Sequence, residues 1–229
     1  MEPDFWHQRW QDGLTGFHQR DSNPHLATFW SRLQIQPGEQ VFVPLSGKSL
    51  DMLWLRKHYS VLGVELSPIA VEEFHKENGL VATHRWQGAF SVSETDNLCL
   101  LCGDYFDLQP VQLLCVRAVY DRAALVALPA DMRPRYVSRL TSLLPASVSM
   151  LLVAMEYDKQ QMKGPPFALD EKEVSDLFER HWSIQLLHEE NILANEPGFR
   201  DRGLSRLSEK IYLLKKSFSG SFWDQRLST

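Results

Sequence analysis

The chain has 229 residues, of which 44% are apolar and 23% are charged, with 12 glycines and 12 prolines. These proportions are typical of one globular domain, here 1–229, and exclude a disordered, collagen-like or coiled-coil chain. The net charge of −5 supplies no positive field for a polyanion, so we expect no nucleic-acid partner.

The N-terminal segment, residues 1–36, is rich in aromatic side chains. Trp6 and Trp10 are spaced to share one face of a helix, which would present a broad apolar surface. This helix either packs on the edge of a sheet or forms a lid over a ligand site. The chain begins Met1-Glu2-Pro3-Asp4, without the basic and apolar stretches of a secretory signal, so we expect a cytoplasmic protein.

From residue 40 onward, apolar runs of strand length alternate with segments of helical period. The predicted extended segments are 40–44, 60–64, Arg85–Val92, Leu98–Cys102, Val111–Ala118, Val148–Met155, Trp182–Leu187 and Lys210–Leu214. The alternation indicates an α/β fold, with a mostly parallel sheet and helices on both faces. The longest apolar runs are far too short to span a bilayer, so we expect no membrane association.

Capping signals and apolar spacing predict the helices. Ser49 precedes an apolar stripe, Ser67 is followed by a proline suited to a first helical turn, residues 133–144 are amphipathic, and a further helix begins at Asp170. The last residues, 217–229, are expected to form a loosely held tail.

Cysteines and histidines give no sign of a metal centre in the sequence. Cys99 and Cys102 have the spacing of a zinc or redox pair, but a strand would point their side chains to opposite faces. With Cys115 they are too few for a disulfide framework, which favours a reducing compartment. The eight histidines show no metal-ligand spacing, so we predict no metal.

Three predicted strands end in groups that would together form a nucleoside pocket. A tight turn follows the first strand, and Gly47 in it lets the backbone approach a ligand closely. Glu65 ends the second strand, where a carboxylate can accept hydrogen bonds from both ribose hydroxyls. Asp104 and Tyr105 follow a later strand and add a carboxylate and a ring beside the base. Because the turn lacks a phosphate-binding glycine pattern, S-adenosylmethionine is favoured over a nucleotide.

Six short motifs occur in order along the chain. They are Phe5-Trp6-His7-Gln8-Arg9-Trp10, Gly16-Phe17-His18, Val43-Pro44-Leu45-Ser46-Gly47-Lys48-Ser49-Leu50-Asp51-Met52, Val61-Leu62-Gly63-Val64-Glu65, Tyr120-Asp121-Arg122-Ala123-Ala124-Leu125 and Gly164-Pro165-Pro166-Phe167. The ordered set, from about residue 4 to residue 216, resembles the thiopurine S-methyltransferase family. The short chain is similar to the bacterial members, which are associated with thiopurines and with selenium and tellurium compounds.

This resemblance implies a class I S-adenosylmethionine-dependent methyltransferase fold, with a seven-stranded sheet that is parallel except for a last antiparallel strand, and an N-terminal helical lid. It implies S-adenosylmethionine as the cofactor and S-adenosylhomocysteine as the product. Together with the strand-end analysis it assigns the cofactor contacts to Trp6, Trp10, Leu45, Gly47, Glu65, Asp104, Tyr105 and Arg122. The acceptor contacts are assigned to Phe17, Arg122, Pro165 and Pro166.

The implied reaction is methyl transfer to the sulfur or selenium of a small acceptor, as in thiopurines, by a monomer without a metal. Aromatic thiols are more acidic than alkyl thiols, whose pKa is about 8.5, so many bind ionised, and Arg122 would favour that form. We expect alignment and exclusion of water to dominate, without a covalent intermediate. His18 is either a base near the pocket or a bystander. Arg200, Arg202 and Arg206 either hold an anionic acceptor or form a solvated face.

Two other functions stay open from the sequence. One is a related methyltransferase acting on halide, simple thiols or oxyanions. The other is a sensor module that binds S-adenosylmethionine without transferring its methyl group. A sensor needs no acceptor pocket, whereas Phe17, Arg122 and Pro165-Pro166 predict one.

Overall fold

Nine strands form one hydrogen-bonded sheet in this computed structural model, which describes residues 3–14 and 18–216. The strands are β1 (Gln40–Val43), β2 (Ser60–Glu65), β3 (Thr83–Gln87), β4 (Phe90–Thr95), β5 (Leu98–Cys102), β6 (Val116–Arg122), β7 (Ser149–Glu156), β8 (Trp182–Asn191) and β9 (Ser208–Lys216). The predicted tail, 217–229, lies outside the described residues.

The strands are ordered β3-β4-β5-β2-β1-β6-β7-β9-β8 across the sheet. The five central strands, β5, β2, β1, β6 and β7, are mutually parallel. β9, the last strand in the chain, runs antiparallel to both of its neighbours. The carboxyl ends of β5, β2, β1 and β6 therefore lie side by side at one edge, where ligands bind in open α/β sheets.

The prediction of seven strands was wrong, because a hairpin extends the sheet by two. The segment predicted as one strand, Arg85–Val92, contains a turn, and its two arms are β3 and β4. Gln87 pairs with Phe90, which leaves a two-residue loop, and Gly88 in it has a φ of +60°. Glycine in such a loop supplies the positive φ that hairpin turns require.

The helices are α1 (Pro3–Gln11), α2 (Pro24–Phe29), α3 (Asp51–Leu55), α4 (Pro68–Glu77), α5 (Pro110–Leu113), α6 (Arg133–Leu143), α7 (Glu171–Phe178) and α8 (Pro197–Asp201). The helix starts predicted at Ser67 and Asp170 are confirmed, and both side chains accept hydrogen bonds from backbone N–H groups inside α4 and α7. The prediction that Ser49 caps the next helix was wrong, because the N-cap of α3 is Leu50, which makes no side-chain cap hydrogen bond. The strand predicted at Val111–Ala118 begins only at Val116, because a capping box of Gln109 and Gln112 starts a short helix before it.

The core has two layers, one on each face of the sheet. Alternate residues of the central strands enter different layers: Leu152 packs with α6 and α7, and Leu151 with α2, α3 and α4. Burial on both faces explains why β7 has a continuous apolar sequence. The prediction of a mostly parallel sheet with helices on both faces is confirmed.

The N-terminal segment has two parts with different environments. In α2 and the 3-10 turn after it, Leu26, Trp30 and Leu33 are buried in the core. In α1 only Trp10 is buried, and this helix lies against α4 near the carboxyl edge of the sheet. Among the described residues, no helix has the length and apolar character of a membrane span.

Candidate active site

The turn after β1 is held in a conformation that few residue types adopt. Leu45 and Gly47 have φ values of 45° and 52°, in the left-handed region. Ser46 donates its backbone N–H to the Val64 carbonyl at 2.9 Å, which folds the turn onto β2. Gly63 makes room for this contact, because a Cβ there would lie 2.6 Å from a Leu100 methyl carbon and 3.0 Å from Ser46 Oγ.

Glu65 is a buried carboxylate at the end of β2, with 6% of its surface exposed. Its Oε2 accepts from the Gly47 N–H and its Oε1 from the Ser67 N–H, both at 2.8 Å. Burial raises the pKa of Glu65, and the backbone N–H donors oppose that shift. Since each carboxylate oxygen can accept a second hydrogen bond, Glu65 is both oriented and able to take two further donors.

Asp104 and Tyr105 follow β5, whose end is joined to β2 by the Gly103 N–H donating to the Glu65 carbonyl at 2.9 Å. The Asp104 carboxylate caps the next turn by accepting from the Phe106 N–H at 2.8 Å. The ring of Tyr105 points into the core, where its hydroxyl donates to the Tyr136 carbonyl at 3.2 Å. The hydrogen bond of Gly103 therefore joins the chain just before Asp104 to the end of β2, where Glu65 lies. Because the Tyr105 side chain is in the core, only the backbone of Tyr105 faces the carboxyl edge of the sheet.

Arg122 ends β6 and pairs with Asp51, a residue with no role predicted from the sequence. Arg122 Nη1 lies 3.3 Å from Asp51 Oδ2, and the Asp51 side chain is only 1% exposed. Asp51 also accepts from the Asn23 N–H at 2.7 Å and the Ser49 hydroxyl at 3.1 Å. The guanidinium is thus fixed on the side of the β1 turn opposite to Glu65.

Asp121, the neighbour of Arg122, points into the other core layer and is fully buried. It accepts from the Leu125 N–H at 3.0 Å and from the Tyr136 hydroxyl at 2.7 Å. Burial raises the pKa of Asp121 from its ordinary value of 3.8 to about 6. Because the folded state then binds the proton on Asp121 more tightly than the unfolded state, the contribution of this group to stability is fully present below about pH 4 and is lost as the pH rises to about 6.

We expect Asp121→Asn to remove this pH dependence. Relative to the wild type, the free energy of unfolding of the variant should rise by about 3 kcal/mol between pH 4 and pH 7, since one pKa unit corresponds to about 1.4 kcal/mol. Urea unfolding across this range measures it. Asp131→Asn, at an exposed carboxylate, is the matched control and should track the wild type. Parallel curves for Asp121→Asn and wild type would contradict the prediction.

Trp10 and Lys48 connect α1 to the site turn. Lys48 Nζ lies 6.0 Å from the centre of the Trp10 ring, and pairs with Glu73 and Glu77 of α4 at 2.8 and 2.7 Å. Trp10 is thereby placed beside the β1 turn. Trp6 is half-buried on the same helix.

Pro165 and Pro166 lie in a loop after β7 that is tied to the end of β6. The following Phe167 donates its N–H to the Val126 carbonyl at 2.7 Å, and the Tyr157 hydroxyl donates to the Pro166 carbonyl at 2.6 Å. Both proline peptide bonds are cis. The loop is therefore held near the Arg122 side of the carboxyl edge. Phe17, the fourth predicted acceptor contact, lies outside the described residues.

His18 and the arginines near the C-terminus are the remaining residues for which the sequence left a role in the site open. Burial and the Lys48 ammonium lower the pKa of His18, and Arg122 adds to that effect. Arg202 donates to the Pro165 carbonyl at 3.4 Å, and Arg206 is paired with Glu189 at 2.9 Å.

Comparison with solved structures identifies the fold of this protein. A SAM-dependent methyltransferase from Anabaena variabilis matches with a TM-score of 0.62 and 14% identity, over 93% of this chain and 94% of that one. The 1,6-didemethyltoxoflavin-N1-methyltransferase of Burkholderia thailandensis, solved with S-adenosylhomocysteine bound, matches with a TM-score of 0.63 and 14% identity, over 94% of this chain and 87% of that one. The fold is that of the S-adenosylmethionine-dependent methyltransferases.

Sequence comparison gives the family within that class. The thiopurine S-methyltransferase of Methylococcus capsulatus is 51% identical over 96% of this chain and 100% of its own. That of Nitrosospira multiformis is 48% identical, over 93% of this chain and 98% of its own. The family profile of thiopurine S-methyltransferase matches residues 1–217. The chain belongs to the thiopurine S-methyltransferase family, and is an S-adenosylmethionine-dependent S-methyltransferase.

Proposed function

We propose that this chain transfers the methyl group of S-adenosylmethionine to the sulfur of aromatic and heterocyclic thiols such as thiopurines. The observation that carries the proposal is the buried Glu65 carboxylate, which the Gly47 and Ser67 N–H groups hold at 2.8 Å with acceptor capacity to spare. Such a group complements the paired hydroxyls of a ribose.

The residues around Glu65 fit an adenosyl group. The left-handed turn at Leu45 and Gly47 brings backbone close to the site without a bulky side chain at Gly47. Asp104 and the backbone of Tyr105, at the next strand end, would contact the adenine. Trp10, with Trp6 beside it on α1, would cover the bound cofactor and exclude water. Indole faces also attract the positive charge of a sulfonium.

S-adenosylmethionine, when bound, supplies an activated methyl group on its sulfonium. The chain's own part is to align the acceptor and to keep it ionised, since a thiolate needs no general base. The Arg122 guanidinium, fixed by Asp51 at 3.3 Å, would favour the thiolate over the thiol. Pro165, Pro166 and Phe17 would bound the acceptor. We propose that the transfer needs no metal and no covalent intermediate, and that His18 is not required as a base.

Replacing Arg122 with Gln should weaken acceptor use more than cofactor binding. We expect kcat/KM for an aromatic thiol to fall about 10- to 100-fold, because one charged contact of about 1.5 to 3 kcal/mol is lost. The acidic limb of the pH–rate profile should move to higher pH, since the thiolate is no longer favoured. Arg122→Lys retains a positive charge and should recover part of the rate. An unchanged profile in both variants would count against the role.

A labelled-methyl assay tests the proposal directly. Tag-free protein is incubated with methyl-labelled cofactor and separate acceptors: a thiopurine, a thiophenol, an alkyl thiol, iodide, selenite and tellurite. We expect the aromatic thiols to give the highest kcat/KM. Highest turnover of iodide or the alkyl thiol would indicate the related-methyltransferase alternative. Calorimetric binding of S-adenosylhomocysteine without turnover of any acceptor would indicate a sensor.

Selenium and tellurium compounds are further candidate methyl acceptors. A selenolate is a stronger nucleophile than a thiolate, so the same alignment would serve it. We propose that reduced selenium compounds are methylated at the same site. Labelled volatile product from selenite or tellurite, formed only with added thiol as reductant, is the expected result.

We also propose that the enzyme acts as a cytoplasmic monomer. Few large apolar side chains of the described residues are exposed; among them, Val81 lies in the loop before β3, Trp86 in β3 and Val111 in α5. Light scattering during size-exclusion chromatography is expected to give the mass of one chain, 26.4 kDa.

A further inference from the structure

Two histidines and two glutamates converge at the carboxyl edge of the sheet, on the side of β8 and β9. His25 Nε2 lies 2.9 Å from Glu209 Oε2 and 3.0 Å from Glu190 Oε1. His188 Nε2 lies 3.7 Å from Glu190 Oε2. None of these four residues takes part in the proposed methyl transfer.

The fold brings these residues together from three distant parts of the chain. His188 and Glu190 are two apart on β8 and therefore share one face of the sheet. Glu209 of β9 is the cross-strand partner of Glu190. His25 lies in the first turn of α2, where its N–H donates to the capping side chain of Asn23 at 2.9 Å. Spacing along the sequence could not indicate such a cluster.

Three of the four residues place donor atoms close enough together to hold a small divalent cation. One ligand atom each of His25, His188 and Glu190 lies within 4.8 Å of the others. Zinc bonds of about 2.0 to 2.2 Å in a tetrahedral site imply ligand atoms about 3.3 to 3.6 Å apart. To hold zinc, the contacts of His25 with Glu190 and Glu209, at 3.0 and 2.9 Å, would have to lengthen, and the contact of His188 with Glu190, at 3.7 Å, would have to shorten slightly. Glu209, which contacts His25, would supply the fourth ligand by a side-chain adjustment. Two imidazoles and two carboxylates are ligands that zinc accepts, and the two carboxylates balance its charge.

Burial differs among the four residues in a way that suits a site open to the solvent on one side. The side chains of His25 and Glu209 are 9% and 11% exposed, so they form a fixed inner wall. Those of His188 and Glu190 are 38% and 47% exposed, so an ion can enter and these two can close on it.

We propose that His25, His188, Glu190 and Glu209 bind one zinc-type divalent cation, which fastens α2 to the edge of the sheet. The site is structural and takes no part in methyl transfer. The metal site is close in sequence to a contact of the acceptor side of the active site. Asn23, two residues before His25, donates its N–H to Asp51 at 2.7 Å. Bound metal should therefore stiffen the segment that supports the Asp51–Arg122 pair.

Tag-free, chelator-treated protein tests this proposal. Zinc titration in a calorimeter should give one ion per chain, cobalt should show the visible absorption of a tetrahedral site, and zinc should raise the unfolding temperature. His188→Ala, at a half-exposed position, should weaken zinc binding about 100-fold, since changes even outside the ligand shell cost 10- to 100-fold. His58→Ala, at an exposed histidine on another face, is the matched control and should bind as the wild type does.

Glu190→Gln supplies a second variant of nearly unchanged shape, and it should also weaken binding. The proposal would be overturned if the wild type bound no zinc at millimolar concentration. It would equally be overturned if His188→Ala and Glu190→Gln bound zinc as tightly as His58→Ala. In either case the cluster is an ion pair in which a proton on His25 bridges two carboxylates.

Discussion

Replacing Glu65 with Ala should raise the Kd of S-adenosylhomocysteine by about 100- to 10,000-fold. Two hydrogen bonds from hydroxyl groups to a buried carboxylate, worth about 1.5 to 3 kcal/mol each, are lost, and tenfold in affinity corresponds to about 1.4 kcal/mol. The carboxylate is 6% exposed and is held in place by the Gly47 and Ser67 N–H groups. Isothermal titration calorimetry measures the change.

A ligand without the ribose hydroxyls separates this contact from general damage to the turn. Glu65→Ala also leaves the Gly47 and Ser67 N–H groups without their partner, and that alone can weaken binding. A 2′,3′-dideoxy analogue should bind the wild type much more weakly than S-adenosylhomocysteine does, and bind Glu65→Ala about equally weakly. Glu65→Gln, which keeps the shape, should lie between. Equal losses for both ligands in Glu65→Ala would mean that the carboxylate only supports the turn.

The position of Glu65 could be predicted because its causes are local. Apolar runs mark β1 and β2, parallel strands place their carboxyl ends at one edge, and the first polar residues after each run are then neighbours. The 2.8 Å contact between Glu65 and the Gly47 N–H is the structural result. The family resemblance rested on these same residues.

The pairing of Asp51 with Arg122 could not be predicted in this way. Their contact depends on how α3 is placed over the end of β6, which is set by packing of the whole layer and not by spacing in the sequence. The hairpin of β3 and β4 was missed for a different reason. Its turn holds a single glycine, Gly88, between residues that are all compatible with one extended strand.

The direction of the Tyr105 side chain could not be predicted from the sequence. The sequence places it directly after Asp104 at a strand end, but its side chain is 3% exposed and lies against Tyr136 with ring centres 4.8 Å apart. A residue that follows a strand can turn its side chain either to the ligand or to the core, and apolar burial favours the core for a large ring.

Replacing Arg133 with Met should lower the free energy of unfolding by about 3 to 5 kcal/mol, the usual cost of breaking a buried charge pair by removing one partner. Arg133 is 1% exposed and donates to Glu173 at 2.5 Å. It also donates to the carbonyls of Leu128, Ala168 and Phe167 at 2.9 to 3.2 Å. Without the guanidinium, the three carbonyls lose this donor, and Glu173 is left with its contact to Lys159 at 3.1 Å. Urea unfolding with circular dichroism measures the loss.

The same substitution should also affect the acceptor. Because Arg133 fixes the carbonyl of Phe167, it holds the loop of Pro165 and Pro166, so KM for an aromatic thiol should rise in the variant at a temperature where it is still folded. Arg180→Met, at an exposed arginine, removes the same charge and should change stability by less than about 0.5 kcal/mol and KM not at all. If Arg133→Met were as stable as Arg180→Met, the buried network would have no net role in stability. If it were destabilised with KM unchanged, the contacts of the proline loop with Tyr157, Val126 and Arg202 would be sufficient to hold it.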